Sequence, residues 1–165
     1  MELKEKILSS FMAFEEKIAD VNNDLHDIRI SAIKNFENKG FPTKKEEAWK
    51  YTSLNAILKN NFSVFAKKEN SVEFAEVKKY FLNEVDTYKV IFIDGKFSSH
   101  LSSTTHDGLD VCLMSSALNK PKYKMVIDTY FNKIANSDDS LTSLNTAFSH
   151  EGAYVNIPKS KVVEK

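Results

Sequence analysis

Apolar residues near the start of the chain recur at the spacing of an α-helix. The steps between them are four, four, three and four residues, which brings five apolar side chains onto one helical face. Charged residues, among them Glu15 and Glu16, lie between these positions. The pattern predicts a first helix whose buried stripe is formed by Leu3, Ile7, Phe11, Phe14 and Ile18.

A second helix is expected after Asp24, a residue type that is favoured at the N-cap. The buried face of this helix would comprise Leu25, Ile28, Ala32 and Phe36. Gly40 would end it in the left-handed conformation, which glycine adopts without steric cost. In a Schellman ending of this kind, Phe36 and Phe41 are expected to touch.

Two further helices are predicted before the chain turns to strands. Thr43 and Glu46 match the capping-box pattern, and they predict a short third helix that carries Trp49. A later helix is indicated by a second group of apolar residues at helical spacing, namely Val72, Ala75, Tyr80 and Phe81.

The period changes to that of β-strands from Tyr88 onward. Val90–Ile93 is a β-branched and aromatic run, and the Asp94-Gly95 pair that follows is a strong hairpin signal. Lys96-Phe97 begins the return strand, and Gly108–Met114 predicts another strand.

The last part of the chain predicts two helices and two strands. Pro121 suits the first position of a helix with apolar residues at Tyr123, Ile127, Tyr130 and Ile134. Ser140 is suited to cap a shorter helix bearing Leu141, Leu144 and Phe148. Ala153–Ile157 alternates as a strand, and Val162–Glu164 begins a strand that stops with the sequence.

These elements predict an α+β fold, in which an N-terminal helical region is followed by a small sheet with helices. Because domains seldom end inside an unpaired strand, a β-rich domain is expected beyond residue 165. The terminal strands are therefore expected either to be disordered beyond Pro158 or to pair with a neighbouring copy, which would give a homodimer.

Composition narrows the classes of function. The 165 residues include 23 basic and 23 acidic side chains, and the sole arginine is Arg29, which disfavours a nucleic-acid partner. The sole cysteine, Cys112, leaves no internal disulfide and is typical of a cytosolic protein. The sequence shows neither a signal peptide nor an apolar run of the roughly 20 residues that a membrane helix needs. The expected location is the cytoplasm, without a membrane partner.

No motif in the sequence predicts catalysis or a bound cofactor. The four histidines form neither an H-E-x-x-H pattern nor a Cys/His cluster, and glycine-rich phosphate loops and nucleophile elbows are absent. We therefore expect no enzymatic activity, no metal site and no cofactor in this chain. A small cytosolic enzyme would instead require a pocket that gathers His106, Asp107, His150 and Cys112.

The segment Lys44–Tyr51 contains residue types that are common in protein interfaces. Trp49 and Tyr51 are favoured anchors there, and the flanking charges would form a polar rim. The alternative is that both aromatic side chains pack a short helix onto the core while the lysines face water. Both alternatives stay open. A third is that one of the two aromatic residues packs on the core while the other lies at an interface. An interface role would fit a free-standing cytosolic interaction module.

Three segments, in this order, resemble the SufD family. The first extends from Arg29 to Thr52 and contains the run GFPTKKEEAWKYT. Val90–Phe97 is similar to a strand and turn of the family, and Leu144–Ala153 is similar to the place where the family enters a β-helical core. The motif positions are Arg29, Gly40, Pro42, Glu47, Trp49, Lys50 and Tyr51. The form of the run favours the D subunit over its paralogue SufB.

The resemblance implies the N-terminal region of a non-catalytic scaffold subunit in iron–sulfur cluster assembly. It implies a SufB-like paralogue and a SufC-like ATPase as partners, and an iron–sulfur cluster only in the full complex. It also implies an N-terminal α+β domain over residues 1–150, and the first strands of a truncated β-helical (β-solenoid) domain over residues 151–165. The family's cluster-building residues and ATPase-docking tail lie in other regions, so none is assigned here.

Overall fold

The structure is a computed structural model, and it describes residues 2–18, 25–65, 72–82, 84–103, 105–106, 108–135, 138–150 and 152–163. The chain divides into two compact units. The helical unit comprises Met1–Phe65 and Met125–His150, and the sheet unit comprises Ala66–Lys124 and Glu151–Lys165. Helices combined with small antiparallel sheets agree with the predicted α+β class. The expected boundary between residues 150 and 151 stays a prediction.

The described residues form helices of very different lengths and short strands. The helices are α1 (Leu3–Ile18), α2 (His26–Lys39), α3 (Asn55–Leu58), α4 (Phe74–Lys78), α5 (Met114–Leu118), α6 (Pro121–Tyr130) and α7 (Ser140–Ala147). The strands are β1 (Phe92–Ile93), β2 (Lys96–Phe97), β3 (Thr105–His106), β4 (Leu109–Leu113) and β5 (Ala153–Asn156). No helix in the described ranges has both the length and the apolar character needed to cross a membrane.

The core of the helical unit is built on the predicted stripe of α1. Four of its five positions are buried, and Leu3 packs against them as a partly buried residue. From α2 the buried members of the core are Ala32, Ile33 and Phe36. Phe148, just after α7, completes it with ring-centroid distances of 5.7 Å to Phe11 and 5.1 Å to Phe14. Such aromatic pairs stabilise a core beyond the area that they bury.

The end of α2 confirms the need for glycine but not the predicted left-handed α conformation. Gly40 has φ 70° and ψ −162°, a region that is essentially restricted to glycine. Its N–H donates to the Phe36 carbonyl oxygen at 2.7 Å, the bond that closes the last helical turn. The rings of Phe36 and Phe41 meet edge to face at 5.1 Å, as predicted. The expected cap at Asp24 lies outside the described residues.

The predicted third helix is present only as a 3₁₀ turn that carries Trp49, Glu47–Trp49, and its predicted start at Thr43 is wrong. Glu46 Oε1 accepts the Thr43 N–H at 2.8 Å, so part of the predicted capping box is present. The Glu46 N–H, however, donates back to the Thr43 carbonyl oxygen at 3.0 Å, and Glu46 has an extended ψ of 132°. These bonds close a turn, and the extended residue prevents an α-helix from starting at Thr43.

The helix predicted near residue 75 is present but shorter than the apolar pattern suggested. It spans α4, where Glu73 and Glu76 form a reciprocal capping box at its start. The rings of Phe74 and Phe81 meet edge to face at 5.8 Å, whereas Tyr80 lies past the end of the helix and is 77% exposed. A single turn of this length depends on its cap, because isolated short helices are marginal in water.

The hairpin predicted at Asp94-Gly95 is confirmed. β1 and β2 pair antiparallel, with Phe92 opposite Phe97. Asp94 and Gly95 have φ values of 49° and 81°, the two positive angles that a type I′ turn requires. The first strand is shorter than expected, since β1 comprises only the last two residues of Val90–Ile93, although the Ile91 carbonyl oxygen still accepts the Ser98 N–H at 2.9 Å.

A three-stranded antiparallel sheet in the order β3-β4-β5 confirms two of the predicted strands. In the β4–β5 register, Val111 lies opposite Val155 and Asp110 opposite Asn156. The strand expected to begin at Val162 is wrong for residues 162–163, and residue 164 lies outside the described ranges. Val162 instead lies beside the turn at Gly108. A β-carbon added to Gly108 would stand 3.7 Å from the Val162 carbonyl oxygen.

A hydrogen-bonded tyrosine joins α6 to this sheet. Tyr123 is buried, and its hydroxyl donates to Asp110 Oδ2 at 2.5 Å, while Asn156 Nδ2 donates to the same oxygen at 3.3 Å. The Tyr123 hydrogen bond holds the pKa of Asp110 below its ordinary value. The same bond to Asp110 raises the pKa of Tyr123 from 10.0 to about 12. The Tyr123 ring also lies 4.8 Å from the ring of Tyr154 on β5.

Two details of the last helices correct the sequence prediction. α6 ends at Tyr130, which is 64% exposed, and Ile134 beyond it is 91% exposed, so neither belongs to a buried stripe. α7 is capped by Asp139 rather than by Ser140, since Asp139 Oδ1 accepts the Thr142 N–H at 2.6 Å. This backbone hydrogen bond lowers the pKa of Asp139. Ser140 is the first helical residue and is buried.

We expect Gly40→Ala to lower the free energy of unfolding by about 1–3 kcal/mol, because a β-carbon is strained at this φ and ψ. Gly152→Ala is the control, since its β-carbon would meet Met114 Cβ at an ordinary 3.7 Å. Denaturant unfolding of both variants and the parent chain measures the effect. Equal stability of Gly40→Ala and Gly152→Ala would contradict the assignment of the helix end.

Candidate functional site

A buried ion pair links the first two helices. Arg29 on α2 is 1% exposed, and its Nε donates to Glu15 Oε1 on α1 at 2.5 Å. The other carboxylate oxygen of Glu15 lies 2.5 Å from His26 Nδ1 at the start of α2. The His26 ring is 46% exposed, whereas the Glu15 side chain is 11% exposed. One buried carboxylate therefore contacts two groups of the neighbouring helix.

The position of these two charges follows from helical spacing. Glu15 lies four residues after Phe11 and three before Ile18, so it shares their buried face. Arg29 lies three residues before Ala32 and four before Ile33, both of which are buried on α2. The sequence therefore contained a signal for Glu15, but only the structure identifies its partner. The pair holds α1 against α2 and presents no reactive group to solvent.

The segment Gly40–Thr52 contains both buried and exposed motif residues. Gly40 and Pro42 are buried next to the half-buried Phe41, which anchors the start of the segment on the helical unit. The charged motif residues Glu47 and Lys50 are exposed. The motif is thus a buried anchor followed by an exposed arm, and it does not gather its residues around a pocket.

The two aromatic residues of the arm differ in exposure. Trp49 is half-buried in the 3₁₀ turn, and Tyr51 is 89% exposed. Lys50 Nζ lies 5.6 Å from the centroid of the Tyr51 ring, within the range of a cation–π contact. A rigid aromatic ring that faces water beside a charged side chain is a suitable anchor for another protein. Of the two aromatic residues predicted as interface anchors, Tyr51 is the more accessible.

A polar groove of about 490 Å³ lies in the helical unit between α2 and α7. Asn35 Nδ2 donates across it to Ser143 Oγ at 2.6 Å, and Ser143 Oγ donates to the Asp139 carbonyl oxygen at 3.0 Å. At its rim, Lys39 Nζ donates to the Asp138 carbonyl oxygen at 2.5 Å. The groove is bridged by these hydrogen bonds, which join the two helices.

The residues named for an enzyme are only partly described. Asp107 and the side chain of His106 lie outside the description, and Cys112 is half-buried in β4 opposite Tyr154. Within the ranges that the structure describes, no three His, Cys, Asp or Glu side chains are close enough together to hold a metal ion. Cys112 is the sole thiol of the chain, whereas iron–sulfur clusters are typically held by four thiolates.

Comparison with known proteins gives agreeing results. A family model described as the SufBD protein N-terminal region matches residues 1–165. Among curated proteins, an iron–sulfur cluster assembly SufBD family protein of Synechocystis sp. (strain ATCC 27184 / PCC 6803 / Kazusa) is 25% identical over 117 residues. The alignment covers 71% of this chain and 25% of the relative. The matched part is therefore about a quarter of the relative's length.

We expect Arg29→Met to lower the free energy of unfolding by about 3–5 kcal/mol, because it leaves the buried Glu15 carboxylate without this partner. Lys39→Met is the matched control, since it removes an exposed ion pair of 3.5 Å with Asp138 and should cost less than about 1 kcal/mol. Urea unfolding measures both. A similar loss in the two variants would contradict a structural role for the buried pair.

We expect the 165-residue chain to retain neither iron nor a cluster, because one cysteine and dispersed histidines supply too few ligands. Anaerobic reconstitution with iron and sulfide, followed by desalting, tests this. Parent chain and Cys112→Ser should both elute without metal. Stoichiometric iron and sulfide with visible cluster absorption in the parent chain alone would contradict the prediction and identify Cys112 as a ligand.

Proposed function

Since the chain belongs to the SufBD family, we propose that it is the N-terminal region of a SufD-like scaffold subunit that acts in iron–sulfur cluster assembly. The observation that carries this proposal is the family match, which extends over residues 1–165. The relative from Synechocystis has iron–sulfur cluster assembly in its name. The iron–sulfur cluster is the product that the complete machinery builds, and not a cofactor of this chain.

The choice of the D type rests on the motif of residues 40–52. Its buried residues, Gly40 and Pro42, fix the start of the segment, and Glu47, Lys50 and Tyr51 are exposed to solvent. In the proposal the protein acts in the cytoplasm with a SufB-like paralogue and a SufC-like ATPase. The region has no catalytic role of its own, and residues 151–165, which contain β5, begin a β-helical domain.

The exposed arm supports a contribution of this region to assembly with a partner. Tyr51 has a large apolar ring at 89% exposure, and binding would remove that ring from water. The neighbouring Lys50 would supply charge at the rim, where exposed charges influence the association rate more than the affinity. The same surface would serve the alternative function, a free-standing cytosolic interaction module using Trp49 and Tyr51.

Co-purification tests the proposal. The chain is co-expressed with the SufB-like and SufC-like proteins of its own organism, and a tag on the chain is used for purification. We expect the paralogue to co-elute, and Tyr51→Ala to reduce its yield about tenfold, as truncation of an interface anchor does. Tyr80→Ala is the matched control, because Tyr80 is 77% exposed and has Lys79 Nζ 5.1 Å from its ring.

The two parts of the proposal fail separately. Co-elution of neither protein would contradict the scaffold role of this region and leave the interaction module as the remaining function. If the paralogue co-elutes equally well with Tyr51→Ala and with Tyr80→Ala, only the role of Tyr51 as an anchor is contradicted. A midpoint of thermal unfolding that is the same in each variant as in the parent chain shows that the fold is retained.

A further inference from the structure

A cleft lies between the start of α1 and the short helix α3, within the helical unit. It consists of two adjoining cavities of about 300 and 430 Å³. Both cavities are lined by Glu2, Leu3, Leu58 and Lys59. Cavities in this range of volume hold small organic molecules in many proteins. We call this feature the α1–α3 cleft.

Positive charge predominates in the lining of the α1–α3 cleft. Lys59 lines both cavities, Lys4 also lines the first, and Lys6 also lines the second. Among the described residues, Glu2 is the one acidic residue of the lining. Lys6 Nζ donates to Asn61 Oδ1 at 2.9 Å and to a backbone carbonyl oxygen. Both acceptors are neutral, so they leave the positive charge of Lys6 uncompensated.

Lys4 and Lys59 also lack an acidic partner. Within the ranges that the structure describes, no carboxylate lies at ion-pair distance from the Nζ atom of either lysine. Lys4 is half-buried, and its Nζ lies 3.6 Å from the point where a β-carbon on Gly40 would stand. The folded chain therefore holds this ammonium group close to the end of α2. A partly desolvated ammonium group without a counter-ion favours the binding of an anion.

The floor of the α1–α3 cleft is apolar. Leu3 and Leu58 are half-buried and line both cavities, and the half-buried Phe41 lines the first. A ligand that covered the exposed part of these side chains would gain the free energy of apolar burial. The apolar surface of the two leucines continues from one cavity into the other. The cleft thus combines cationic walls with an apolar floor that is longer than one cavity.

We propose that the α1–α3 cleft binds a small organic anion that has one anionic head and an apolar body. The head lies in the first cavity, where it meets the ammonium groups of Lys4 and Lys59. The body lies on Leu3 and Leu58 and reaches into the second cavity. A carboxylate or a phosphate ester supplies the head equally well, because both accept charge-assisted hydrogen bonds from lysine. This inference does not depend on the proposed function.

Titration with hexyl phosphate, followed by NMR of the backbone amides, tests the proposal. This probe carries a phosphate head on an apolar chain. We expect the amides of Leu3, Lys4 and Lys59 to shift, with a dissociation constant on the order of 1 mM. Hexanol lacks the anionic head and inorganic phosphate lacks the apolar body, so each should bind at least about tenfold more weakly. No shift in the cleft up to about 20 mM hexyl phosphate overturns the proposal, as does equally tight binding of either control.

Variants of the lining test the role of charge. We expect Lys4→Gln and Lys59→Gln each to raise the dissociation constant of hexyl phosphate about fivefold, because each removes one attractive charge. Lys34→Gln is the matched control, since Lys34 is an exposed lysine on α2, and it should change the constant less than about twofold. Glu2→Gln should lower the constant about twofold, which a damaged fold would not do. Equal effects of Lys59→Gln and Lys34→Gln overturn the proposal.

A third titration distinguishes a small ligand from other occupants of the α1–α3 cleft. It uses hexyl phosphate with the protein as its organism makes it, and then with that protein in complex with a SufB-like paralogue. An unchanged dissociation constant in both supports a small ligand taken from solution. Binding to the 165-residue chain alone overturns the proposal, because a later part of the same protein then fills the cleft. Binding that is lost only in the complex also overturns it, because the cleft is then a protein interface.

Discussion

The contact between Arg29 and Glu15 orients the first two helices of the helical unit on each other. Burial of the phenylalanines on α1 favours association with α2, but apolar burial is non-directional and tolerates rotation of one helix against the other. A carboxylate that contacts Arg29 and His26 at 2.5 Å each does not tolerate such rotation without leaving a charge buried and unpaired. The ion pair therefore selects one packing of the two helices, and the end of α2 fixes where the following segment begins.

Elements determined by local geometry were predictable from the sequence. The hairpin followed from Asp94-Gly95, because two successive positive φ angles admit few residue types. The helix end followed from Gly40 for the same reason. The errors occurred where neighbouring residues compete for one role. Asp139 and Ser140 are both good caps, and the sequence does not tell which one accepts the backbone N–H of the first turn.

The candidate site was predictable in its residues but not in its arrangement. The segment around Trp49 was found from its motif. The difference in exposure between Trp49 and Tyr51 depends on a 3₁₀ turn, whereas the capping-box pattern predicted a helix that starts at Thr43. The buried role of Arg29 was missed, because it depends on Glu15, fourteen residues away on another helix. The tertiary partner of a charged residue is determined by packing. A single sequence shows only the helical face on which that residue lies, and not the residue that it contacts.

Because of the hydrogen bond between Tyr123 and Asp110, the ultraviolet absorption of Tyr123 reports on the state of the sheet unit. An ordinary tyrosine forms its absorbing phenolate near pH 10.0, whereas Tyr123 does so near 12. With Asp110 ionised, the stabilisation from this bond is complete below pH 10.0, and it is lost as the pH rises through about 12. It is also lost in acid, as the pH falls through the lowered pKa of Asp110. While the sheet is intact, one of the six tyrosines therefore titrates late in ultraviolet absorption. When the sheet opens, the pKa of Tyr123 returns to the ordinary tyrosine value, so alkaline spectrophotometry follows this sheet without any added probe.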